Sequence, residues 1–231
     1  SRSLPHTARL RSCCGPHSGA WLHCVPKDSY SIMDNETFRF ACNFRLGLPL
    51  HGSSSYCSLC RKHVDTLGIH SFSCPKLRSR LLDKHDMFCR ELKTLAHLAG
   101  IKAIDHHLTI FTPLDPDNKL RPDLFLPTMG KNGRDLALDI VMTDTRPNSI
   151  AQAAALRTGA ARDKKVIMKE KKYEQHCHEM GYSFLAASLE IFGSMTDKLD
   201  SLIQTLVQLA ADRAQIPYSV LLPYWRKRLS M

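Results

Sequence analysis

Aromatic rings are scarce in this chain of 231 residues, at 7% of the total. Gripping single strands by base stacking needs several rings on one surface, so that mode of binding is not expected. Long apolar runs are missing too. Nothing matches a secretory h-region of about 7–15 apolar residues, or the roughly 18 needed to cross a bilayer. No membrane partner is therefore expected. There is no internal repeat, which sets aside solenoids and propellers. Acid is in short supply: 22 Asp and Glu face 32 Lys and Arg, for a formal net charge of +10. Such an excess suits a polyanionic partner, through phosphate neutralisation and counterion release. A plainly basic soluble protein would carry it equally.

The rest is ordinary for a globular protein, at 43% hydrophobic and 23% charged. The length suits one medium domain with an accessory module. Cysteine is plentiful, nine in all, an odd number. Without a secretory signal, metal ligation and buried thiols are expected before disulfides. The first residue is Ser1 rather than Met, so the chain is expected to be a piece of a longer polypeptide.

Three regions follow from the pattern. Residues 1–50 read as a linker with one short helix. The first 32 are rich in Ser, His, Pro and Arg and have no usable period. Asp34 then makes a good N-cap and Gly47 a good C-terminal stop, with Phe40, Ala41 and Phe44 at helical spacing between them. Arg39 and Arg45 are expected to face solvent or phosphate. Residues 51–75 read as a zinc knuckle. Cys57, Cys60, His70 and Cys74 give C-x2-C-x9-H-x3-C, four soft or borderline donors in two pairs, which suits tetrahedral Zn²⁺. The first spacing lets one tight turn present two thiolates; the second sets His70 and Cys74 one helical turn apart. His63 is the substitute ligand.

Residues 76–231 read as an α/β domain. A long helix over 76–99 carries an apolar stripe of Leu77, Leu81, Leu82, Phe88, Leu92, Leu95 and Leu98, ended by Gly100. His85, Asp86 and Glu91 lie on it; a carboxylate there is a candidate metal holder. Strands are expected at 108–112, 124–126 and 135–143, with a turn at 115–118. An Ala-rich helix over 149–158, a basic helix over 160–180 and a strand over 182–189 come next. Thr196 caps a helix with a core stripe from Leu199 to Ala210, and a last short helix carries Trp225 to Arg228.

Two acids stand on the neighbouring strands. A two-residue turn at Asn132-Gly133 would set Asp123 and Asp139 on opposite faces of the sheet. A three-residue loop, Lys131 to Gly133, pairs Gly130 with Arg134 and gives Gly133 the left-handed place. Asp123 then opposes Val141 and lies diagonal to Asp139 on one face. Leu124, Leu126, Leu138, Ile140 and Met142 gather on the other, which becomes the core. Diagonal neighbours are about 7–8 Å apart, within reach of one cation. Lys165, Lys169 and Lys172 share a face of the following helix. Two carboxylates with a lysine suit phosphodiester cleavage by a divalent metal.

Taken together, Arg121-Pro122-Asp123, then Asp139, then Lys169 through Lys172-Tyr173 resembles the PD-(D/E)XK restriction-like nuclease pattern. With the C-C-H-C knuckle ahead of it, the chain resembles the C-terminal end of site-specific non-LTR retrotransposon polyproteins. Stretches 18–22 and 45–50 also look like the linker of such elements, so the likeness covers about residues 18–193. The resemblance implies a restriction-endonuclease-like mixed sheet flanked by helices, preceded by the knuckle. It implies metal-dependent nicking of double-stranded target DNA, leaving a 3′-hydroxyl that primes reverse transcription in the nucleus. Element RNA and an upstream reverse transcriptase are the further partners. Asp123 and Asp139 would hold Mg²⁺ or Mn²⁺, with Lys169 and Lys172 as catalytic cations. Glu190 and Lys165 are additional candidates, and Arg121, Lys164 and Lys171 are set against nucleic acid. The departure is at Val141, where the usual strand lysine is absent and the cation must come from the helix. The competing reading is a non-catalytic zinc-containing nucleic-acid-binding module of a decayed element. A third is an RNA-contacting part of a larger ribonucleoprotein.

Overall fold

The computed structural model describes residues 3–23, 25, 32–74, 76, 78–105 and 120–230. The expected strand at 108–112 and turn at 115–118 lie outside the described residues. The region read as a linker opens instead with a helix, α1 (Leu4–Cys13). Its Ala8 is fully buried, in a cluster with three alanines further along the chain. Those partners lie more than a hundred residues away, so no local period reveals the helix. Helix α2 (Asn35–Leu46) follows; Asp34 Oδ1 accepts from Thr37 N–H at 2.8 Å, and Gly47 adopts φ +71°. None of its residues is buried. Arg45 corrects the expected outward pose: it turns inward and donates to the carbonyls of Ser18 and Cys13.

The knuckle is a small hairpin, β1 (Ser55–Tyr56) against β2 (His63–Val64), leading to the one-turn helix α3 (Ile69–Ser73). Helix α4 (Arg78–Leu98) buries Phe88, Leu92 and Leu95, whereas Leu98 is 53% exposed and Ala96 and Ala99 are buried in its place. The apolar stripe therefore ends on Ala99 rather than on Leu98. Strands β3 (Ile104–Asp105), β4 (Leu124–Leu126) and β5 (Leu136–Thr143) come next. Helices α5 (Asn148–Leu156), which supplies the three alanines under α1, and α6 (Ala160–Glu179) then cross to strand β6 (Ser183–Glu190). Helices α7 (Asp197–Ala214) and α8 (Tyr218–Ser230) complete the described chain, a mixed α/β fold.

The sheet runs β3-β4-β5-β6, with antiparallel pairing except for the parallel β5–β6 pair. A parallel pair needs a long crossover, which α5 and α6 provide. Leu124, Leu126, Leu138 and Ile140 enter the main core with α4, α7 and α8. On the other face Phe125 and Ala137 meet Tyr173 and Cys177 of α6. This alternation places the sheet between two helical layers.

The register departs from the expected one by two residues. The loop is the three-residue one: Gly130 N–H donates to Arg134 O at 2.7 Å, and Gly133 takes φ +73°. Yet Leu124 pairs with Leu138, not Ile140. The cause lies at 127–129, where three residues face the single Asp135. Thr128 takes φ +62°, and its N–H donates to Asp135 Oδ1 at 2.9 Å. A shift of two preserves which side chains share a face. The core face is therefore as expected, but Asp123 meets Leu138 and Asp139 rather than Val141. Its N–H donates to Leu138 O at 2.8 Å.

Candidate functional site

Two clusters carry chemistry. In the knuckle, the donor atoms of Cys57, Cys60, His70 and Cys74 all lie within 4.8 Å of one another. Zn–S bonds of about 2.3 Å at a tetrahedral angle set two sulfurs about 3.8 Å apart. Cys57 Sγ and Cys74 Sγ are 3.8 Å apart, and Cys74 Sγ and Cys60 Sγ 3.6 Å. The set can hold a metal ion such as zinc. Amide donors, Cys60 N–H first, pull the Cys57 thiol down to about 6, which favours the thiolate that zinc requires. His70 is held by Asp65, whose carboxylate accepts from the N–H groups of Ile69 and His70, each at 3.1 Å. Burial pushes Asp65 up, but these donors outweigh it and hold the carboxyl below its usual range. The substitute His63 is exposed and lies edge-on to Tyr56 instead.

The second cluster forms beside the β4–β5 pair. Asp139 is buried, and its Oδ2 lies 2.5 Å from Lys169 Nζ on α6. That oxygen is itself enclosed and receives no well-directed hydrogen bond beyond the lysine contact. Burial first, then the charge of Asp123, raises the Asp139 carboxyl above its usual range, against the opposing pull of Lys169. Asp123 Oδ2 accepts from Ile140 N–H at 2.6 Å and contacts His85 Nε2 at 3.1 Å. Tyr173 supports the floor. Its hydroxyl donates to Arg121 O at 3.1 Å, and Lys172 Nζ donates to that hydroxyl at 3.3 Å. Burial, then the Asp139 carboxylate, holds the phenol protonated.

Asp123, Asp139 and Lys169 thus meet, and Lys172 lies beside them over the Tyr173 ring at 4.7 Å. Lys165 shares that side of α6 by spacing, while Lys164, Lys171 and Arg121 are exposed. Glu190 does not join. It lies opposite Thr143, four residues along β5 from Asp139, and is 1% exposed. Burial raises its carboxyl. Glu91 also turns elsewhere, to Arg228. His85 and Tyr173 are the contributors that no assigned role anticipated. The only signal for His85 was its place three residues before Phe88 on the buried side of α4. For Tyr173 it was the motif that ends on it. No family model, curated protein or solved structure matches the chain.

Proposed function

We propose that this chain is a metal-dependent DNA endonuclease with a restriction-like core and an adjoining structural zinc knuckle. The observation that carries the reading is the meeting of Asp123, just ahead of β4, with Asp139 of β5 and Lys169 of α6. Among the described residues only the Cys/His cluster gathers three or more protein donors. Two aspartates suffice for Mg²⁺ or Mn²⁺, because Mg²⁺ takes one or two carboxylates and fills its shell with water and phosphate oxygens. Bound there, the ion would polarise the scissile phosphate and activate water.

The chain's own residues do the rest. Asp123 and Asp139 hold the ion. Lys169, the cation that replaces the missing strand lysine at Val141, offsets charge developing on the phosphate. Lys172 and Tyr173 shape the wall beside it. Lys164, Lys171 and Arg121 neutralise flanking phosphates. By the resemblance, the nick leaves a 3′-hydroxyl for target-primed reverse transcription by an upstream polymerase on element RNA, in the nucleus.

The test is a nicking assay on supercoiled plasmid with Mg²⁺ or Mn²⁺. Wild type converts the plasmid to open circle. Asp123→Ala and Asp139→Ala each reduce the rate by at least about 100-fold (~2.7 kcal/mol in barrier) while DNA binding persists. Cleavage that survives both substitutions overturns the reading.

A further inference from the structure

We propose that His85 is a positioning residue for Asp123, an inference that rests on the nuclease reading of the same site. Asp123 stands one residue before β4 begins, with its N–H donating to Leu138 O of β5 at 2.8 Å. Its Oδ2 is tied twice, by Ile140 N–H at 2.6 Å and by His85 Nε2 at 3.1 Å. Among the described residues, Oδ1 receives no hydrogen bond. One oxygen is fixed and the other is left for a ligand.

The imidazole is itself fixed. Nδ1 lies 3.0 Å from Asp86 Oδ1, and Cys89 Sγ is 3.7 Å from the same nitrogen. Carboxylate oxygens stand at both ring nitrogens, so the ring is held from two sides with Nε2 facing Asp123. The ring is carried by α4, which is anchored in the core by Phe88 and Leu92. His85 therefore ties a residue at the edge of a loop to a rigid helix. The side chains of His85 and Asp123 are only 21% and 22% exposed, which protects the pair from competing water. A group that hydrogen-bonds a metal-holding carboxylate fixes its aim, and losing such a group typically weakens metal affinity about 10–100-fold.

The experiment compares zinc-loaded wild type, His85→Ala, His85→Gln and Asp123→Ala. Free Mn²⁺ is followed by electron paramagnetic resonance as the ion is titrated in without DNA. Asp123→Ala abolishes the site. His85→Ala weakens it by about 10–100-fold. His85→Gln recovers much of the loss, because its amide nitrogen reaches the place of Nε2. An unchanged melting temperature for His85→Gln separates this effect from misfolding. In nicking, His85→Ala lowers kcat and leaves the KM for DNA unchanged.

Equal or tighter Mn²⁺ binding by His85→Ala overturns the proposal and leaves His85 a mere counter-charge. So does wild-type Mn²⁺ binding that Asp123→Ala does not remove. If wild type binds Mn²⁺ through Asp123 but never nicks plasmid, the nuclease reading fails. The assignment of His85 then stands on the binding series alone.

Discussion

Asp139 and Glu190 are both buried carboxylates on the α6 side of the sheet, and burial raises both. Only Asp139 has a lysine against it. Neither Glu190 oxygen has a well-placed hydrogen bond, although the Ser12 hydroxyl first and then Arg162 lie near enough to pull its titration the other way. An acid whose folded pKa is raised favours the native state when protonated. Its cost is absent at low pH, and grows as pH rises from the unfolded value through the raised folded value. Glu190→Gln should therefore stabilise the protein at pH 7–8 by about 1–3 kcal/mol, seen as a melting point higher by several degrees. The gain should vanish below about pH 4, where the carboxyl is neutral in both states. A gain that is flat with pH would mean that packing, not charge, is responsible. At this scale the sequence was half legible. It marked Asp123, Asp139 and Lys169 as acids and base at a telling spacing. It could not separate Asp139 from Glu190, because both occupy strand positions with the same alternation.

At the scale of elements, α6 divides its lysines between two tasks. Lys169 turns inward to Asp139, while Lys172, itself exposed, lies over the Tyr173 ring. Lys164 and Lys171 point to the opposite side of the helix, which is exposed. The exposed pair should act through counterion release alone. Lys164→Ala and Lys171→Ala should each lower the slope of log K against log salt by about 0.9. They should also weaken all DNA sequences alike, as anisotropy titrations would show. Lys169→Ala should instead lower nicking and leave the slope nearly unchanged. A slope unmoved by the first two would place the duplex elsewhere. The helical period that assigns these faces was readable in the chain. The pairing of β4 with β5 was readable only in part. The loop length and the core face followed from Gly133 and the alternation of leucines. The extra residues at 127–129 carry no such signal, and they decide which residue Asp123 meets.

Across the whole molecule, Arg146 joins the knuckle to the sheet. Its side chain is 3% exposed, pairs with Asp144 at 2.8 Å, and donates to Leu67 O at 2.9 Å. The guanidinium also lies over Phe44 at 4.7 Å and Phe72 at 5.5 Å, rings from α2 and α3. Removing one partner of such a buried pair typically costs about 3–5 kcal/mol. Arg146→Ala should lower stability by that order in urea unfolding. Chelating zinc should lower the melting point of wild type as a single calorimetric transition. In Arg146→Ala the knuckle should melt separately, with little further effect on the α/β core. One transition in both proteins would show that other contacts bind the knuckle to the core.

The sequence by itself determined whatever depends on near neighbours. Ligand spacing gave the Cys57–Cys60–His70–Cys74 set, and period gave the helices after α1, the β4 and β5 core face and the lysine stripe. Cap chemistry gave Asp34 and Gly47. Tertiary structure decided what depends on residues far apart in the chain. It packed α1 under α5, turned Arg45 inward, sent Glu91 to Arg228 and brought His85 to Asp123. The physical reason is one of range. Backbone hydrogen bonds and side-chain alternation act over a few residues and leave a period. A contact across dozens of residues is chosen by the shape and charge that the assembled layers leave over.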